Sequence, residues 1–519
     1  MISGLFWNIR GASKPPNLRR LIKLVRLHNL KFVAICEPKL AISQIDSIKM
    51  RLPFDSVVVN LSADIWVLFS APIACTIIGN SSHHITLLVH HPWLPRSLCF
   101  SFVHARCTME ERRILWQDLL TDKPTSLPWC VCGDFNVIID PHEKRGGRPF
   151  ARAEGMELLS FMEEAEVFDA GFSGSSYTWC NNRRGRERIW KRLDRLLING
   201  AFSDAVSSVS VAHLARHPSD HAPLRIGLAS RMDNKPRPFR FLNLWTDRKD
   251  LLEVIRNAWQ LECTGSPLRK LCSKLVKARR VIQEWNKEAF GNIFIAVQRA
   301  ESDLLAAENR VEEDESGDAQ VELQKAQAKL RLALSNEERF WSQKARVKWL
   351  RHGDRNSKYF HATVQQRRVQ GAIHRMQDES GAWVEDDEGI ASMAVRYFSE
   401  PFSEPGGASG DLLHLIPRVV TGDDNETLET CPSLEEVKRV IFAMDGDSSA
   451  GPDGFTGKFF TFAWEVIAHD VYQAVLSFFC GAELPRFITS TSIVLIPKVS
   501  NPQDFSKYRP ISLCNFINK

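Results

Sequence analysis

Side chains that can hold a metal ion or a phosphate group follow a short apolar run in the first third of the chain. Trp129-Cys130-Val131-Cys132 is typical of a buried strand, and Gly133-Asp134-Phe135-Asn136 follows it at once. Glycine lets the backbone turn and lets a ligand approach closely. The Asp134 carboxylate can hold a metal ion or a water molecule. Asn136, placed on the same side by the two-residue period of a strand, can donate to a phosphate oxygen.

Further polar groups stand where other apolar segments stop. They are Asn8 in Trp7-Asn8-Ile9-Arg10-Gly11, Glu37 before Pro38, Asp194 in Arg192-Leu193-Asp194-Arg195, and the pair in Ser219-Asp220-His221. Strand ends are where sites are commonly assembled in sheet-containing domains. Taken singly, each residue has an ordinary structural explanation, such as a turn or a helix cap for a lone aspartate. Their meaning therefore depends on their occurring together.

Three histidines at four-residue spacing suggest a different chemistry. His213, His217 and His221 could bind zinc if they shared one face of a helix. Pro218 and Pro223 argue against a helix at that place. We therefore reject zinc.

Residues 1 to about 230 alternate between predicted strands and helices. Helical spacing occurs at Leu18, Leu21, Ile22 and Val25. Thr108-Met109-Glu110-Glu111 is a capping box before an apolar face formed by Ile114, Leu115 and Leu119. The predicted strands before residue 129 cover residues 5–9, 31–36, 56–60, 65–70, 75–79, 85–90 and 98–103. This many strands with few helices favours two packed sheets flanked by helices.

The composition is that of a globular protein in a reducing compartment. The 519 residues are 44% hydrophobic and 25% charged, and the net charge of +5 says little about partners by itself. This length predicts two or three domains. Twelve cysteines occur without a Cys-x-x-Cys pair, and no secretory signal is visible, so we expect an intracellular protein. No apolar run approaches the length of a membrane span, so we expect no membrane partner.

The rest of the chain is predicted to have three parts, a helical and basic connector (231–400), a linker (401–430) and a compact segment (431–519). Apolar residues from Val297 to Val311 recur at coiled-coil spacing, and a break at Glu315-Ser316-Gly317-Asp318 indicates an antiparallel helical hairpin. Residues 339–368 contain nine Lys or Arg residues, one acid and interleaved aromatic residues. That pattern suits nucleic-acid contact, including RNA, and equally a solvated basic face.

The strand-end motifs together resemble the endonuclease/exonuclease/phosphatase superfamily, and within it the apurinic-type endonuclease of LINE-class (non-LTR) retrotransposons. The resemblance covers about the first 228 residues and keeps the motif order. It implies a four-layer α/β sandwich and metal-assisted, in-line hydrolysis of a phosphodiester bond in a DNA target. The implied cation is Mg²⁺, with Mn²⁺ as an alternative.

The resemblance also implies a role for each site residue. Glu37 is the main metal ligand with Asn8 beside it, and Asp220 is a second metal contact. Asp134 positions and deprotonates the attacking water, and Asn136 holds that water or a phosphate oxygen. His221 binds the scissile phosphate and stabilises its developing charge. Asp194 pairs with His221 and favours its cationic form.

Two departures from the family pattern bear on activity. His104 stands where a phosphate-binding tyrosine is usual, and a histidine can also donate to phosphate. Ala63-Asp64 stands where paired glycines are usual, before Ile65-Trp66. The expected function is a metal-dependent endonuclease that nicks target DNA for retrotransposition. The alternatives are a catalytically impaired, nucleic-acid-binding relic and another phosphodiesterase of the same fold.

Motifs near the end of the chain resemble the fingers of a plant LINE-type reverse transcriptase. They are Gly451-Pro452-Asp453-Gly454-Phe455, Leu495-Ile496-Pro497-Lys498 and Tyr508-Arg509-Pro510-Ile511-Ser512-Leu513, and Gly353-Asp354-Arg355-Asn356-Ser357-Lys358-Tyr359-Phe360-His361 resembles the segment before them. The resemblance implies that Lys498 and Arg509 touch a nucleotide triphosphate. Asp423-Asp424 are predicted to lie in a loop, and no aromatic-x-Asp-Asp motif follows the fingers. We therefore expect a truncated element without DNA synthesis by this chain, and the family suggests the nucleus.

Overall fold

The computed structural model describes residues 2–92, 94, 96–206, 208–229, 238–313, 316–346, 357–403, 417, 419–499 and 501–519. Contacts between Cα atoms divide the chain into two compact units. The first unit contains residues 1–234, 361–397 and 497–508, and the second contains residues 235–360, 398–496 and 509–519. The four-part division expected from the sequence stays a prediction.

The first unit is built on two large sheets and one small sheet. The strands in chain order are β1 (Ile2–Asn8), β2 (Phe32–Cys36), β3 (Ser56–Val59), β4 (Ile65–Phe69), β5 (Ala74–Asn80), β6 (His84–His90), β7 (Leu98–His104), β8 (Trp129–Asp134), β9 (Lys144–Arg145), β10 (Val167–Asp169), β11 (Ser173–Gly174), β12 (Trp179–Cys180), β13 (Trp190–Lys191), β14 (Asp194–Asn199), β15 (Ser208–His213) and β16 (Leu224–Ala229). The seven-stranded sheet has the order β11-β15-β16-β1-β2-β4-β3, the six-stranded sheet β10-β14-β8-β7-β6-β5, and the small sheet β12-β13-β9.

Helices cover the outer faces of the two large sheets. The helices of this part are α1 (Pro15–Leu27), α2 (Ile45–Lys49), α3 (Met109–Thr121), α4 (Met156–Glu164) and α5 (Gly200–Ala205). The inward-facing side chains of each large sheet, such as Phe6 of β1 and Cys132 of β8, form the core between the two sheets. The alternate set packs outward, where Trp7 meets α1 and α2 and Val131 meets α3 and α4. Strands that are buried on both faces read as continuous apolar runs, as in β2 and in the first four residues of β8.

The order helices, sheet, sheet, helices confirms the predicted α/β architecture for the N-terminal part of the chain. Cys130 and Cys132 are buried core residues, as expected. One detail was wrong, because Ile114 is 52% exposed. The buried face of α3 instead includes Arg112, whose guanidinium donates to Glu157 and to the Cys107 carbonyl oxygen.

Residues far along the chain complete the first unit. The later elements are α10 (Ser357–Gln370), β17 (Met376–Gln377), β18 (Trp383–Val384) and α11 (Asp387–Ser403). Gln365 accepts a hydrogen bond from Ser203, and Arg375 donates to Ser173. Arg225 pairs with Glu385 at 2.8 Å. The sequence analysis assigned residues 361–397 to a helical connector and did not anticipate the two strands or these contacts.

The second unit is mostly helical. Its helices outside α10 and α11 are α6 (Lys249–Trp259), α7 (Pro267–Trp285), α8 (Ile293–Glu313), α9 (Gly317–Ala345), α12 (Gly422–Glu429), α13 (Leu434–Ala443), α14 (Gly457–Phe462), α15 (Trp464–Phe479) and α16 (Arg486–Thr489). Two further strands, β19 (Thr491–Pro497) and β20 (Tyr508–Cys514), pair with each other. Helices α8 and α9 pack together and confirm the predicted hairpin, and Arg310 of α8 forms an ion pair with Glu322 of α9.

One prediction for the later part of the chain was wrong, and others fall partly on residues that the structure does not describe. Asp423 and Asp424 lie in the first turn of α12, where Thr421 caps the helix, so the loop prediction was wrong. The short side chain of Thr421 accepts from the backbone of Asp424, and acids favour a helix start. Residues 347–356 of the basic segment, which include residues 353–356 of the quoted motif, and residues 404–416 and 418 of the predicted linker lie outside the described residues. Within the part of the chain that the structure describes, no helix is long and apolar enough to cross a membrane.

Replacement of Gly133 tests the close packing that ends β8. A Cβ atom at this position would overlap the carbonyl oxygen of Val103 on the neighbouring strand. We expect Gly133→Ala to lower the free energy of unfolding of the first unit by about 1–3 kcal/mol, the usual cost of overpacking. Urea unfolding measures this loss. Gly317→Ala is the control, because a Cβ atom there meets nothing within 4 Å, and equal stability of both variants would contradict the prediction.

Candidate active site

Strand pairing brings the polar residues to one edge of the two sheets. In the six-stranded sheet, His104 at the end of β7 pairs with Asp134 at the end of β8, and Asp134 pairs with Asp194 at the start of β14. In the seven-stranded sheet, Asn8 ends β1 and pairs with Cys36, the last residue of β2. Glu37 follows β2 directly, so the predicted strand ends meet as the sequence analysis expected.

The Asn8 amide joins residues from both sheets. Its Nδ2 group donates to Glu37 Oε1 and to Asp134 Oδ2, at 3.0 Å in each case. The nitrogen must face the two carboxylates, because they accept hydrogen bonds when ionised and an amide oxygen would be repelled. The buried Oδ1 atom of Asn8 therefore points elsewhere, and it has no hydrogen-bond partner among the described residues. An unpaired oxygen beside a carboxylate is a suitable ligand for a hard cation.

Three cationic or hydrogen-bonding groups converge on the Glu37 carboxylate. His104 Nε2 lies 3.5 Å from Oε1, Arg10 Nε lies 3.2 Å from Oε1, and Lys39 Nζ lies 3.2 Å from Oε2. Burial opposes ionisation, but hydrogen bonding to His104 and Asn8 and the charge of Arg10 outweigh it. They hold the pKa of Glu37 well below its ordinary value. Glu37 is therefore a carboxylate at neutral pH, the form that binds metal ions.

His221 lies between two buried aspartates. Its Nδ1 lies 2.9 Å from Asp194 Oδ2, and its Nε2 lies 3.6 Å from Asp134 Oδ2. All three side chains are fully buried. Burial favours a neutral ring, but the charges of Asp194 and Asp134 outweigh it and raise the pKa of His221 to about 9. The ring is therefore an imidazolium at neutral pH, and Nε2 forms no hydrogen bond with any residue in the described ranges.

The backbone around His221 is tied to β1. Trp7 Nε1 donates to the His221 carbonyl oxygen at 3.0 Å, and the Ser219 hydroxyl donates to the Asn8 carbonyl oxygen at 2.9 Å. Asp220 faces the same region with one carboxylate oxygen 3.0 Å from Trp179 Nε1 and the other 3.5 Å from Arg10 Nε. Asp134 itself is fully buried, and burial raises its pKa.

Asn136 is near the site but is not oriented as expected. Strand β8 ends at Asp134, and Asn136 has a φ of +50° in the left-handed region, so the two-residue period no longer applies. The Asn136 side chain donates to the Ala105 carbonyl oxygen at 2.7 Å. Its backbone N–H donates to Asp134 Oδ1 at 3.1 Å. The residue therefore orients the Asp134 carboxylate through its backbone.

Several site residues were missed by the sequence analysis. Arg10 and Lys39 pair with Glu37, although both stand beside residues that were singled out. The two arginines that flank Asp194 form a buried ion network, in which Arg192 and Arg195 each contact Glu143 and Asp169. The motif Arg192-Leu193-Asp194-Arg195 could have indicated this network, because arginines beside a buried strand need acidic partners.

Other sequence-selected residues belong to different elements of the chain. His213 belongs to β15 and stacks on Phe172, and residues 214–221 contain no helix, in keeping with the rejection of zinc. The Lys498 ammonium donates to the Ser506 carbonyl oxygen at 2.8 Å. Arg509 is exposed on β20. The triphosphate contacts implied for Lys498 and Arg509 stay predictions.

Within the described part of the chain, two neighbouring groups of residues at this sheet edge could hold a metal ion. Ligand atoms of Asp134, Asp194 and His221 all lie within 4.8 Å of one another. In this first group, however, the Nδ1–H group of His221 already donates a hydrogen bond to Asp194, and the positive charge of the ring would repel a metal ion. The pair Glu37 and Asn8 has a partly exposed carboxylate and an unpaired amide oxygen. Glu37 therefore offers a carboxylate nearer to solvent with the Asn8 amide beside it, whereas Asp134, Asp194 and His221 form a buried group in which His221 donates to Asp194.

The His221 pKa gives a pH-dependent prediction. Its proton stabilises the folded protein below pH 6.5, and this stabilisation should be lost as the pH rises through about 9. NMR titration of the histidine rings should show one resonance that titrates near pH 9, and Asp194→Asn should move it towards 6.5. His213 is the internal control, because burial lowers its pKa to about 3 and it should stay neutral. An unshifted His221 in the wild-type protein would contradict this prediction.

The N-terminal part of the chain is similar to proteins of known family and known fold. Residues 5–221 match the Endonuclease/Exonuclease/phosphatase family. The transposon TX1 uncharacterized 149 kDa protein of Xenopus laevis is 25% identical over 397 residues, which cover 74% of this chain and only 30% of that protein's length. Two solved structures are similar to part of the chain. The endonuclease domain of TRAS1, a telomere-specific non-LTR retrotransposon, is 13% identical, with 45% of this chain and 100% of that chain covered and a TM-score of 0.33. An AP endonuclease from Archaeoglobus fulgidus is 13% identical, with 44% of this chain and 99% of that chain covered and a TM-score of 0.35. The N-terminal part of this chain therefore has a multi-sheet α/β fold of the endonuclease/exonuclease/phosphatase type, and a helical region follows it.

Proposed function

We propose that the first unit is a metal-dependent DNA endonuclease that hydrolyses a phosphodiester bond. The observation that carries this proposal is the position of His221 Nε2, an imidazolium N–H group that lies 3.6 Å from Asp134 Oδ2 and has no hydrogen-bond partner among the residues that the structure describes. A cationic donor beside a buried carboxylate can bind a phosphate oxygen while the carboxylate acts on a water molecule. The match of residues 5–221 to the endonuclease/exonuclease/phosphatase family supports the same chemistry.

The roles follow from charge and hydrogen bonding. Asp134 accepts the proton of the attacking water, and its raised pKa makes it a stronger base than an exposed aspartate. His221 donates to the phosphate and stabilises the charge that develops there. Asp194 fixes the ring through Nδ1. The water oxygen forms a bond to phosphorus as the opposite P–O bond breaks, which leaves a nick that provides a primer end.

The residues fit a hard divalent cation such as Mg²⁺, or Mn²⁺. Glu37 and Asn8 would hold it, and Asp220 is a further oxygen donor near them. When bound, the ion neutralises charge on the phosphate and polarises its oxygens. Asn136 positions Asp134, and His104 orients Glu37 and can also donate to phosphate.

We further propose that this endonuclease belongs to a LINE-type retrotransposon protein that acts on DNA in the nucleus. The similarity to the transposon TX1 protein extends over 397 residues, beyond the endonuclease-like region. Exposed basic side chains near the site, Arg10 (37% exposed) and Lys39 (55%), suit a phosphate backbone. The reverse-transcriptase-like fingers (431–519), the RNA contact of the basic segment and the absence of DNA synthesis stay expectations from the sequence.

A supercoiled-plasmid nicking assay tests the endonuclease directly. We expect nicking with Mg²⁺ and none with EDTA, and Asp134→Asn or His221→Gln should slow it by roughly 10²–10⁴-fold, the usual effect of losing a general base or acid. Asp204→Asn is a matched control, because this carboxylate is 59% exposed. Nicking that persists in EDTA or in Asp134→Asn would contradict the proposal. Duplex binding without nicking by the wild-type protein would favour the impaired relic.

The metal dependence of the reaction tests the assignment of Glu37. We expect Glu37→Gln to raise the Mg²⁺ concentration for half-maximal nicking by at least roughly tenfold, because removal of a metal-site carboxylate weakens metal binding. A Mg²⁺ titration of the initial nicking rate measures this shift. Glu163→Gln, an exposed residue of α4, should leave the titration unchanged. An unchanged midpoint in Glu37→Gln would place the metal elsewhere.

A further inference from the structure

The Arg10 guanidinium lies between two carboxylates of the candidate metal site. Its Nε atom is 3.2 Å from Glu37 Oε1 and 3.5 Å from Asp220 Oδ1. Neither contact has hydrogen-bond geometry, and this buried Nε–H group has no hydrogen-bond partner within the described ranges of the chain. The contacts are therefore electrostatic, and Arg10 supplies positive charge without being fixed by directional bonds.

The backbone holds Arg10 against Glu37. Both residues adopt the left-handed region, with φ of +51° and +48°. The Gly11 N–H donates to the Glu37 carbonyl oxygen at 2.8 Å, and the Ile9 N–H donates to the Cys36 carbonyl oxygen at 3.0 Å. These bonds fix the two strand ends side by side. The Arg10 side chain, in contrast, is 37% exposed to solvent.

We propose that Arg10 is an internal cation that competes with the divalent metal for Glu37 and Asp220, and that metal binding releases its guanidinium to a DNA phosphate. This inference rests on the proposed function. A divalent ion held by Glu37 would repel a guanidinium at 3.2 Å from the same oxygen. The released group needs an anion, and a phosphate matches the planar fork of arginine.

The competition couples metal binding to DNA binding. Without metal, Arg10 is engaged by carboxylates and contributes little to the phosphate contacts. When the metal ion is bound, the Arg10 guanidinium becomes available to a DNA phosphate. By linkage, DNA that engages Arg10 must also favour the metal-bound state. Lys39 differs, because it contacts Glu37 but not Asp220 among the described ion pairs, and it is 55% exposed.

Calcium titration calorimetry on the full chain without DNA tests the competition. Ca²⁺ prefers the same oxygen ligands. We expect Arg10→Ala and Arg10→Gln to bind Ca²⁺ roughly three- to tenfold tighter than the wild-type protein, because the metal ion no longer has to displace a guanidinium from two partly exposed ion pairs. Arg10→Lys keeps the cation and should stay near wild type. Arg106→Ala is the matched control, since Arg106 is also 37% exposed but pairs with Asp64.

Salt-dependent binding of a DNA duplex tests the release. In Ca²⁺, Arg10→Ala should reduce the slope of log affinity against log salt by about one, the value of a lost phosphate contact. In EDTA, the slope should not change. Ca²⁺ affinity that is equal in wild type and both neutral variants would overturn the competition, and an equal slope in Ca²⁺ would overturn the release. If either result is found but the wild-type protein still nicks DNA, the proposed endonuclease function stands and only the role of Arg10 is wrong. A wild-type protein that neither binds Ca²⁺ nor nicks DNA would overturn both.

Discussion

One side chain amide connects the two large sheets at the site. Asn8 ends a strand of the seven-stranded sheet, and its Nδ2 group donates both to Glu37 and to Asp134 of the six-stranded sheet. A neutral donor is well suited to this position, since it brings two carboxylates together without neutralising either of them. The cationic groups lie beside these carboxylates, with His221 Nε2 at 3.6 Å from Asp134 and Arg10 Nε at 3.2 Å from Glu37.

Charge balance divides the site into two halves. The buried half contains Asp134, Asp194 and the cationic His221, whose side chains are fully buried and lie beside one another. The open half contains Glu37 and Asp220, and their charges are met by side chains that reach solvent. The buried half suits proton transfer and phosphate binding, which need fixed geometry. The open half suits an exchangeable cation, which needs a path to solvent.

Sequence patterns predicted the strands and the groups at their ends because both depend on local features. An apolar run that stops at a polar residue identifies a strand end, as at Asn8, Glu37 and Asp134. The side chain partners depend on the tertiary structure, and so the roles of Arg10 and Lys39 were not visible. Asn136 was misplaced because the two-residue period was continued beyond the last paired residue of β8. The contacts of residues 361–397 were missed because they join segments that are far apart in the chain, such as Ser203 and Gln365.

That separation has a consequence for folding during synthesis. Strand β11 is the edge strand of the seven-stranded sheet, and Arg375 and Asn501 donate to Ser173 and Gly174 of this strand. Open edges of sheets pair readily with strands of other chains. A nascent chain of 234 residues can already form both sheets, yet it lacks the residues that cover this edge. Strand β11 therefore lacks these two hydrogen-bond donors, and its edge stays open to association, until residues 375 and 501 have been synthesised.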